Sequence, residues 1–339
     1  MIAPTVTVLL PTYNSAAFLS TAVDSVLHQS FRDFELLVMD DGSSDETPEV
    51  LGRYADQRLK IVRGDRNRGL IAVLNEGIGV ARGQYIARMD ADDIAMPCRL
   101  ERQVSFLQSH REVDICGTWF WLRYEHKRVP VRTPRRHEEI AAHLFFRSAF
   151  GHPTVMLRRQ FLTERGLQYN TAAKHAEDYD LWVRARTLTR FANVPEYLLQ
   201  YRMHSDQTGA QYLAPQSAAA SRVRLSQLSS LVPDATKAEQ ELHLRVCDGG
   251  PFATKGALAE ARSWLDRLGE VNTKLRVFEQ SAFADALAAT WAQCCIKSRF
   301  SLHHAVPMYL SRHYSPFSLD RVREHGLMTR SGLRRLLAS

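Results

Sequence analysis

The first hundred residues alternate between short apolar segments and segments whose apolar residues recur with helical spacing. This alternation is typical of βαβ units, so it constrains the chain to an α/β fold with a mainly parallel sheet. The predicted strands are residues 6–12, 34–40, 59–63 and 85–90. Helices are predicted at 17–28, from Thr47 onward, and at 70–80. The first two strands are almost continuously apolar, so we expect helices on both faces of the sheet.

Polar residues follow three of these strands. They are Pro11, Thr12 and Tyr13 in the first case, Asp40 to Ser43 in the second, and Asp90 to Asp93 in the third. Ligands of parallel sheets bind beyond the carboxyl ends of the strands. The sequence therefore predicts a binding site at this edge of the sheet.

The acidic strand ends suggest specific roles. If the strand pleat continues past residue 90, Asp90 and Asp92 point the same way and can hold one divalent cation, while Asp93 faces elsewhere. Such a triplet is common in solvated turns, but the second acidic strand end, at Asp41, favours a site. Asp45 or Thr47 is expected to cap the next helix, which leaves Asp41 to accept hydrogen bonds from a base or sugar.

The remainder of the chain predicts more α/β structure and then a change to helices. Further elements are a helix at 97–110, a strand at 114–124, a basic hairpin or loop at 125–136, a strand at 152–157, a helix at 176–187, and one or two strands at 191–203. Helical spacing then recurs at 217–231, 236–247, 255–268 and 277–295. We expect a catalytic domain at 1–210 and a smaller helical domain with a basic tail at 211–339.

Charge and composition limit the partners and the location. The formal net charge of +7 suits an anionic partner, and most of the excess lies from Lys297 onward. No nucleic-acid motif accompanies the charge, so nucleic acid is not expected. Five cysteines without a C-x-x-C pair indicate a reducing compartment. Without a signal-peptide pattern or a long apolar segment, we expect a soluble or peripherally membrane-bound protein.

The polar strand ends carry a family resemblance. Residues 6–14, 37–45, 67–70 and 83–93 resemble, in order, the motifs of family 2 glycosyltransferases with a GT-A fold. The resemblance continues at 176–184 and 201–204. It implies a cytoplasmic, inverting enzyme of bacterial surface-polysaccharide type. Such an enzyme moves a sugar from a nucleoside diphosphate donor, here expected to be UDP-linked, to a hydroxyl of a surface glycan or a lipid-linked acceptor.

The resemblance also implies roles on the donor side. Pro11, Thr12 and Tyr13 would lie along the nucleoside, with Asp41 accepting a hydrogen bond from the base and Arg68 near the substrate loop. Asp90 would approach the ribose or the metal. Asp92 would ligate Mn²⁺ or Mg²⁺ bridging the diphosphate, because a Lewis acid stabilises the charge gathering on the leaving group.

On the acceptor side, Asp178 takes the role of general base, with Glu177 as its neighbour or substitute. Carboxylates at a helix N-terminus also complement the helix dipole, so a purely structural role is the alternative. His204 resembles a further metal ligand, although packing alone would explain a lone histidine. His152 resembles a position that lines the acceptor side. The spacing of Trp119, Trp121 and Trp182 fits core packing better than sugar stacking.

Other functions stay open at this point. A metal-dependent nucleotidyltransferase would need a Gly-rich basic loop after the first strand, where this chain has Pro11 to Asn14. A haloacid-dehalogenase-type phosphatase would need a nucleophilic Asp near Thr12. A nucleotide-sugar-binding scaffold without turnover is a third alternative. The basic tail suggests either a peripheral contact at the inner face of the membrane or a solvated helix.

Overall fold

The computed structural model describes residues 3–204 and 213–298. The chain forms two compact units. The first, the sheet unit, holds the described residues of 1–135 and 150–216, and the second, the helical unit, holds those of 136–149 and 217–339. Sequence analysis predicts one boundary at residue 210. The two compact units divide after residue 216, and the short segment 136–149 groups with the later helices.

One sheet of nine strands forms the centre of the sheet unit. The strands are β1 (Val6–Thr12), β2 (Phe34–Asp40), β3 (Leu59–Arg63), β4 (Tyr85–Arg88), β5 (Ile94–Ala95), β6 (Val113–Arg123), β7 (Arg128–Val131), β8 (Met156–Arg158) and β9 (Arg190–Arg202). Their order is β3-β2-β1-β4-β8-β6-β9-β5, with β7 paired to β6. The first four strands in this order are parallel, as predicted, and β8 joins β4 and β6 antiparallel to both. The remaining pairs are mixed: β6 and β9 are parallel, while β5 and β7 are antiparallel to their neighbours.

Helices cover the sheet, as the apolar strands predict. In chain order they are α1 (Ala16–Leu27), α2 (Thr47–Gly52), α3 (Leu70–Val80), α4 (Arg99–Ser109), α5 (His137–Leu144), α6 (Arg159–Glu164) and α7 (Glu177–Ala185). All of these except α5 lie in the sheet unit. Every residue of β1 and β2 is buried. Leu19, Val23 and Val26 of α1 join the apolar side chains of these strands in one core, so the carboxyl ends of β1, β2 and β4 are held by a fully packed sheet.

The helical unit packs around aromatic side chains. It contains α5 together with α8 (Leu213–Leu231), α9 (Lys237–Cys247), α10 (Lys255–Leu275) and α11 (Gln280–Lys297), where α8 begins just before the unit boundary. Phe145 and Phe146 at the end of α5 join the core of this unit. His243 is fully buried there and accepts a hydrogen bond from Trp264 Nε1 at 3.3 Å. Burial lowers the pKa of His243 to about 3.

Several local predictions differ from the structure. The predicted strand 85–90 ends at Arg88, and the predicted strand 152–157 begins only at Met156. Residues His152–Thr154 form a 3₁₀ turn, where Pro153 has no N–H to donate to a ladder. Residues 191–203, predicted as one or two short strands, belong to the single long strand β9. The hairpin at 125–136 is confirmed by the pairing of β7 with β6.

The described residues include all five cysteines but only the first two residues of the basic tail. All five cysteines are free thiols. Among residues 3–204 and 213–298, no helix is both long enough and apolar enough to cross a bilayer. Of the basic tail, only Lys297 and Ser298 fall within the described chain. The Lys297 ammonium donates to the carbonyl of Asp248. The arginines beyond Ser298, and with them the predicted membrane contact, lie outside the described residues.

Candidate active site

The chain turns immediately after β4 and gathers three carboxylates, which we call the acidic turn (residues 90–93). One oxygen each from Asp90, Asp92 and Asp93 lies within 4.8 Å of the others. The expectation that Asp93 faces elsewhere is wrong, because the pleat stops at Arg88 instead of continuing through Asp90. Asp93 is fully buried, and its Oδ1 accepts the N–H of Arg202 at 2.9 Å. Its Oδ2 meets no donor among the described residues.

The acidic turn lies beside His204, which follows β9. His204 Nε2 is 2.9 Å from Asp92 Oδ2, and the His204 ring is 4.4 Å from the ring of Phe18. The structure thus brings together the two predicted metal ligands. Three carboxylates and one imidazole are a donor set that suits Mn²⁺ or Mg²⁺, and the partnerless oxygen of Asp93 is one that a cation would satisfy.

One arginine sits at the base of the acidic turn. Arg88, the last residue of β4, is only 4% exposed, and its Nη1 donates to Asp90 Oδ2 at 2.5 Å. Burial raises the pKa of Asp90 and raises that of Asp93 well above its usual value, while the charge of Arg88 opposes both shifts. Sequence analysis missed Arg88. The sequence does indicate a role for this residue, because a charged residue within an otherwise apolar strand needs a buried partner.

The predicted catalytic carboxylates occupy the first turn of α7. Glu177 is 9% exposed, and its carboxylate accepts the backbone N–H of His175. Asp178 is half-buried, which makes it the more accessible of the two. Burial, together with the charge of Glu177, raises the pKa of Asp178 to about 6. The charge of Asp178 in turn contributes to the raised pKa of Asp90, so the carboxylates of α7 and of the acidic turn interact electrostatically.

A histidine–tyrosine pair lies in the same electrostatic environment. His152 Nε2 is 2.8 Å from the hydroxyl of Tyr169, and burial lowers the pKa of His152 well below its usual value. Asn75 on α3 holds the backbone of Tyr169 through two hydrogen bonds of 2.9 Å. The charges of Arg88 and Asp178 both act on Tyr169. Sequence analysis placed His152 near the acceptor and missed Tyr169, whose surrounding sequence carries no motif.

Trp182 packs in the core as predicted, whereas Trp119 and Trp121 are half-buried beside Tyr197. Trp182 is fully buried, with its ring 6.1 Å from that of His152. Trp119 and Trp121 are half-buried, and their rings lie 5.5 Å and 4.4 Å from the ring of Tyr197. These contacts account for both indoles without a ligand.

Residues predicted to bind the nucleotide lie at the end of β1 and in the loops after β1 and β2. Pro11 and Thr12 are buried, while Tyr13 is 45% exposed and available to a planar ligand. In the part of the chain that the structure covers, Thr12 Oγ1 has no hydrogen-bond partner. Asn14 Oδ1 accepts the N–H of Ser44 at 2.9 Å and so joins the two loops.

Asp41 ties the β2 loop to the start of α3. Its Oδ1 accepts the N–H of Arg68 at 2.9 Å, and its Oδ2 accepts that of Gly69 at 2.7 Å. Each oxygen keeps a second lone pair that could meet a base. Gly42 has a φ of +72°, and a Cβ there would lie 2.7 Å from the backbone of Arg66, so only glycine fits. The half-exposed side chain of Arg68 pairs with Glu76.

Asp45 performs the predicted capping role. Its Oδ1 accepts the N–H of Thr47 at 3.0 Å, and its Oδ2 accepts that of Ala16 at 3.1 Å. One carboxylate therefore holds the first residues of both α1 and α2. This double cap joins the loop after β1 to the loop after β2.

Comparison with known proteins identifies the family. Residues 7–167 match the sequence profile described as Glycosyl transferase family 2. The O-antigen biosynthesis glycosyltransferase WbnJ of Escherichia coli is 31% identical over 218 residues, which make up 62% of this chain and 84% of that protein. The chain belongs to glycosyltransferase family 2. As a member of this family it is a glycosyltransferase, and its relatives include enzymes of polysaccharide biosynthesis.

Solved structures confirm the GT-A fold of this family 2 member. S. aureus TarS 1–349 in complex with UDP-GlcNAc matches with a TM-score of 0.56 and 18% identity, covering 95% of this chain and 92% of that one. The mannosyltransferase PcManGT from Pyrobaculum calidifontis, in complex with GDP-Man and Mn²⁺, matches with a TM-score of 0.50 and 17% identity, covering 99% and 88%. At these identities the likeness concerns the fold alone.

Proposed function

We propose that this family 2 glycosyltransferase moves a sugar from a UDP-sugar to a hydroxyl of a surface glycan or of its lipid-linked precursor, with inversion at the anomeric carbon. The observation that carries the proposal is the acidic turn with its three clustered carboxylates, one of which interacts electrostatically with Asp178, a carboxyl group whose pKa is raised to about 6. The acidic turn suits a leaving diphosphate with its cation. Asp178 suits a hydroxyl that must lose a proton.

The donor side rests on the loops after β1 and β2. The exposed ring of Tyr13 would lie along the nucleoside beside Pro11 and Thr12. Asp41 would accept from the base through its remaining lone pairs, and Asp90 would approach the ribose. Arg68 borders the same loop, where its backbone N–H is already held by Asp41. TarS and PcManGT, which share the fold, are described in complex with UDP-GlcNAc and with GDP-Man, which supports a nucleoside diphosphate sugar as donor.

A divalent cation fits the acidic turn. Asp92 and His204 would hold Mn²⁺ or Mg²⁺, with Asp90 and Asp93 next to them. When bound, the ion supplies Lewis-acid stabilisation of the diphosphate leaving group. The Mn²⁺ described for PcManGT supports this choice of cofactor.

Asp178 would act as the general base. A pKa near 6 leaves the carboxylate ionised at neutral pH yet basic enough to take a proton in the transition state. Glu177 supports it by raising that pKa, and its own carboxylate is held by the backbone of His175. Attack of the activated hydroxyl opposite the leaving diphosphate inverts the anomeric centre, so an α-linked donor gives a β-glycoside.

The acceptor side would include Tyr169, on which the charge of Asp178 acts, and His152, which is 2.8 Å from the Tyr169 hydroxyl. His152 stays neutral because its pKa is low, so it offers a hydrogen bond without adding charge. A lipid-linked acceptor would place the enzyme at the inner face of the membrane, where the basic residues after Ser298 would contact anionic lipid.

The first test is a binding screen by calorimetry. UDP, GDP, CDP, ADP and dTDP are each titrated into the full chain with Mn²⁺, with Mg²⁺ and with EDTA. We expect binding of UDP that depends on the divalent cation. Equal binding of all five diphosphates, or binding of UDP unchanged in EDTA, would contradict the proposed donor site.

The second test addresses the base. Asp178→Asn should lower the turnover of the preferred UDP-sugar by about 10³-fold, within the usual range for a lost general base, while leaving UDP affinity unchanged. Asp180→Asn is the matched control, because Asp180 lies in the same helix turn but pairs with Arg184 at 2.7 Å. A variant Asp178→Asn with normal turnover would refute the base assignment, and a wild-type protein that binds donor without any turnover would indicate a scaffold.

A further inference from the structure

The buried guanidinium of Arg88 lies at the acidic turn and pairs directly with one of its carboxylates. Among the described residues its ion pair is with Asp90, whose side chain is 27% exposed. Arg88 Nε, also buried, finds no hydrogen-bond acceptor within the described chain. The positive charge of Arg88 acts on Asp90 and Asp93 in the acidic turn, and on Glu177 and Asp178 of α7. The fixed charge of Arg88 thus acts on carboxylates from both parts of the site. The charges of Arg99 and Arg202 also act on the acidic turn, and Arg88 adds to this a direct ion pair with Asp90.

We propose that Arg88 is a positioning residue that stands in for the divalent cation, holding the carboxylates of the acidic turn together whenever no metal is bound. The inference rests on the proposed function, since it assumes that the acidic turn takes Mn²⁺ or Mg²⁺. It adds that the chain supplies its own counter-ion from β4.

Charge and burial support this role. Partly or fully buried carboxylates that lie within 4.8 Å of one another repel unless a cation is near. His204 cannot replace the arginine permanently, because a histidine is charged only when protonated. Arg88 is always charged and is anchored in the sheet, where its own carbonyl oxygen accepts a hydrogen bond from Arg99 Nη2 at 2.7 Å.

Arg88 and a bound metal ion also compete for the carboxylates of the acidic turn. Arg88 occupies Asp90 Oδ2, so a metal bound to Asp92 and Asp93 meets a neighbouring positive charge and a carboxylate that is already paired. Removing that charge should therefore strengthen the binding of a bare divalent cation while weakening the metal-free fold. A residue that only fills space in the core would not show this reciprocal behaviour.

The test uses Arg88→Met in the full chain, with thermal unfolding measured in EDTA and in MnCl₂, and with calorimetric titration of Mn²⁺ alone. In EDTA we expect the Tm to fall by about 5 °C or more, as for other unpaired buried charges. Mn²⁺ should restore most of this loss, so the Mn²⁺-induced rise in Tm is larger in the variant than in the wild type. The affinity for Mn²⁺ should increase by about tenfold.

Arg158→Met is the matched control. Arg158 is also largely buried, and it bonds to the carbonyls of Val113 and Leu107 and pairs with Asp114, away from the acidic turn. Its loss should lower the Tm in EDTA without any additional rescue by Mn²⁺. An equal Mn²⁺-induced rise in Arg88→Met and wild type, or weaker Mn²⁺ binding by Arg88→Met, would overturn the proposal.

A double variant provides a second test in case Arg88→Met alone does not fold. Arg88→Met with Asp90→Asn removes both members of the ion pair, so it should be more stable in EDTA than Arg88→Met alone. Mn²⁺ should still stabilise it more than the wild type, because the acidic turn has lost the positive charge of Arg88, and equal stabilisation counts against the proposal. If the wild type itself binds no Mn²⁺, the metal of the proposed function fails together with this inference. If the wild type binds Mn²⁺ and the variants behave like Arg158→Met, only the inference fails.

Discussion

The two compact units bury ionisable groups in opposite ways. The helical unit buries His243 as a neutral ring between two partners, Trp264 Nε1 at 3.3 Å and the thiol of Cys247 at 3.4 Å. The sheet unit encloses the carboxylates of the acidic turn and leaves an oxygen of Asp93 without a donor. A satisfied buried group serves the fold, whereas an unsatisfied cluster of like charges is tolerated where a ligand completes it.

The largest expected effect tests whether the acidic turn is completed by a metal. Asp92→Asn should weaken Mn²⁺-dependent UDP binding by on the order of 10²-fold, because one charged ligand is lost. Calorimetry with and without EDTA measures this difference. Asp56→Asn serves as the control, since Asp56 pairs locally with Arg58 at 2.7 Å. Equal UDP affinity of Asp92→Asn and wild type in Mn²⁺ would show that the carboxylate cluster has another purpose.

The next effect is the pH dependence of the reaction. The raised pKa of Asp178 means that the base keeps its proton up to about pH 6. Turnover should therefore be constant above pH 7 and fall toward tenfold per pH unit below pH 6. The profile of kcat/KM between pH 5 and 8 is the measurement, with UDP binding at the same pH values as the control. A flat profile down to pH 5 would remove Asp178 from the base role.

The free energy of unfolding of the helical unit should depend on pH through His243. The pKa of His243 is lowered to about 3 in the folded chain, so the unfolded state, with a pKa near 6.5, binds the extra proton. The contribution of the neutral His243 ring to the free energy of unfolding is present above pH 6.5. It is lost as the pH falls from 6.5 toward 3, with a slope approaching about 1.4 kcal/mol per pH unit. Denaturant unfolding of wild type and His243→Leu between pH 5 and 7 isolates this slope. Parallel curves would contradict the assignment of a neutral buried ring.

The smallest effects come from a matched pair of helix caps. Thr236 caps α9 in a capping box with Glu239, and Asp45 caps both α1 and α2. Thr236→Ala and Asp45→Ala should each cost about 1 kcal/mol of unfolding free energy. Only Asp45→Ala should also weaken UDP binding, because it loosens the loops after β1 and β2. Weaker UDP binding by both variants would mean that UDP binding depends on the helical unit as well as on the sheet unit.

The sequence was sufficient for the parallel half of the sheet and for the list of polar strand ends. Apolar runs bounded by turn residues predicted β1, β2 and β3 to the residue. It was insufficient for the acidic turn, because the convergence of Asp93 with Asp90 depends on where β4 stops pairing. Tyr169 could not be found either, since its place is set by Asn75, far away in sequence.

The helix α5 lies between two parts of the sheet unit in sequence, yet its aromatic end packs in the helical core. During synthesis, Phe145 and Phe146 leave the ribosome well before residues 217–298, which bury them. Nascent domains usually fold as they emerge, from the N-terminus onward. Here the growing chain carries two unburied phenylalanines until α8 to α11 have been synthesised, so this segment exposes apolar surface for longer than the core of the sheet unit does.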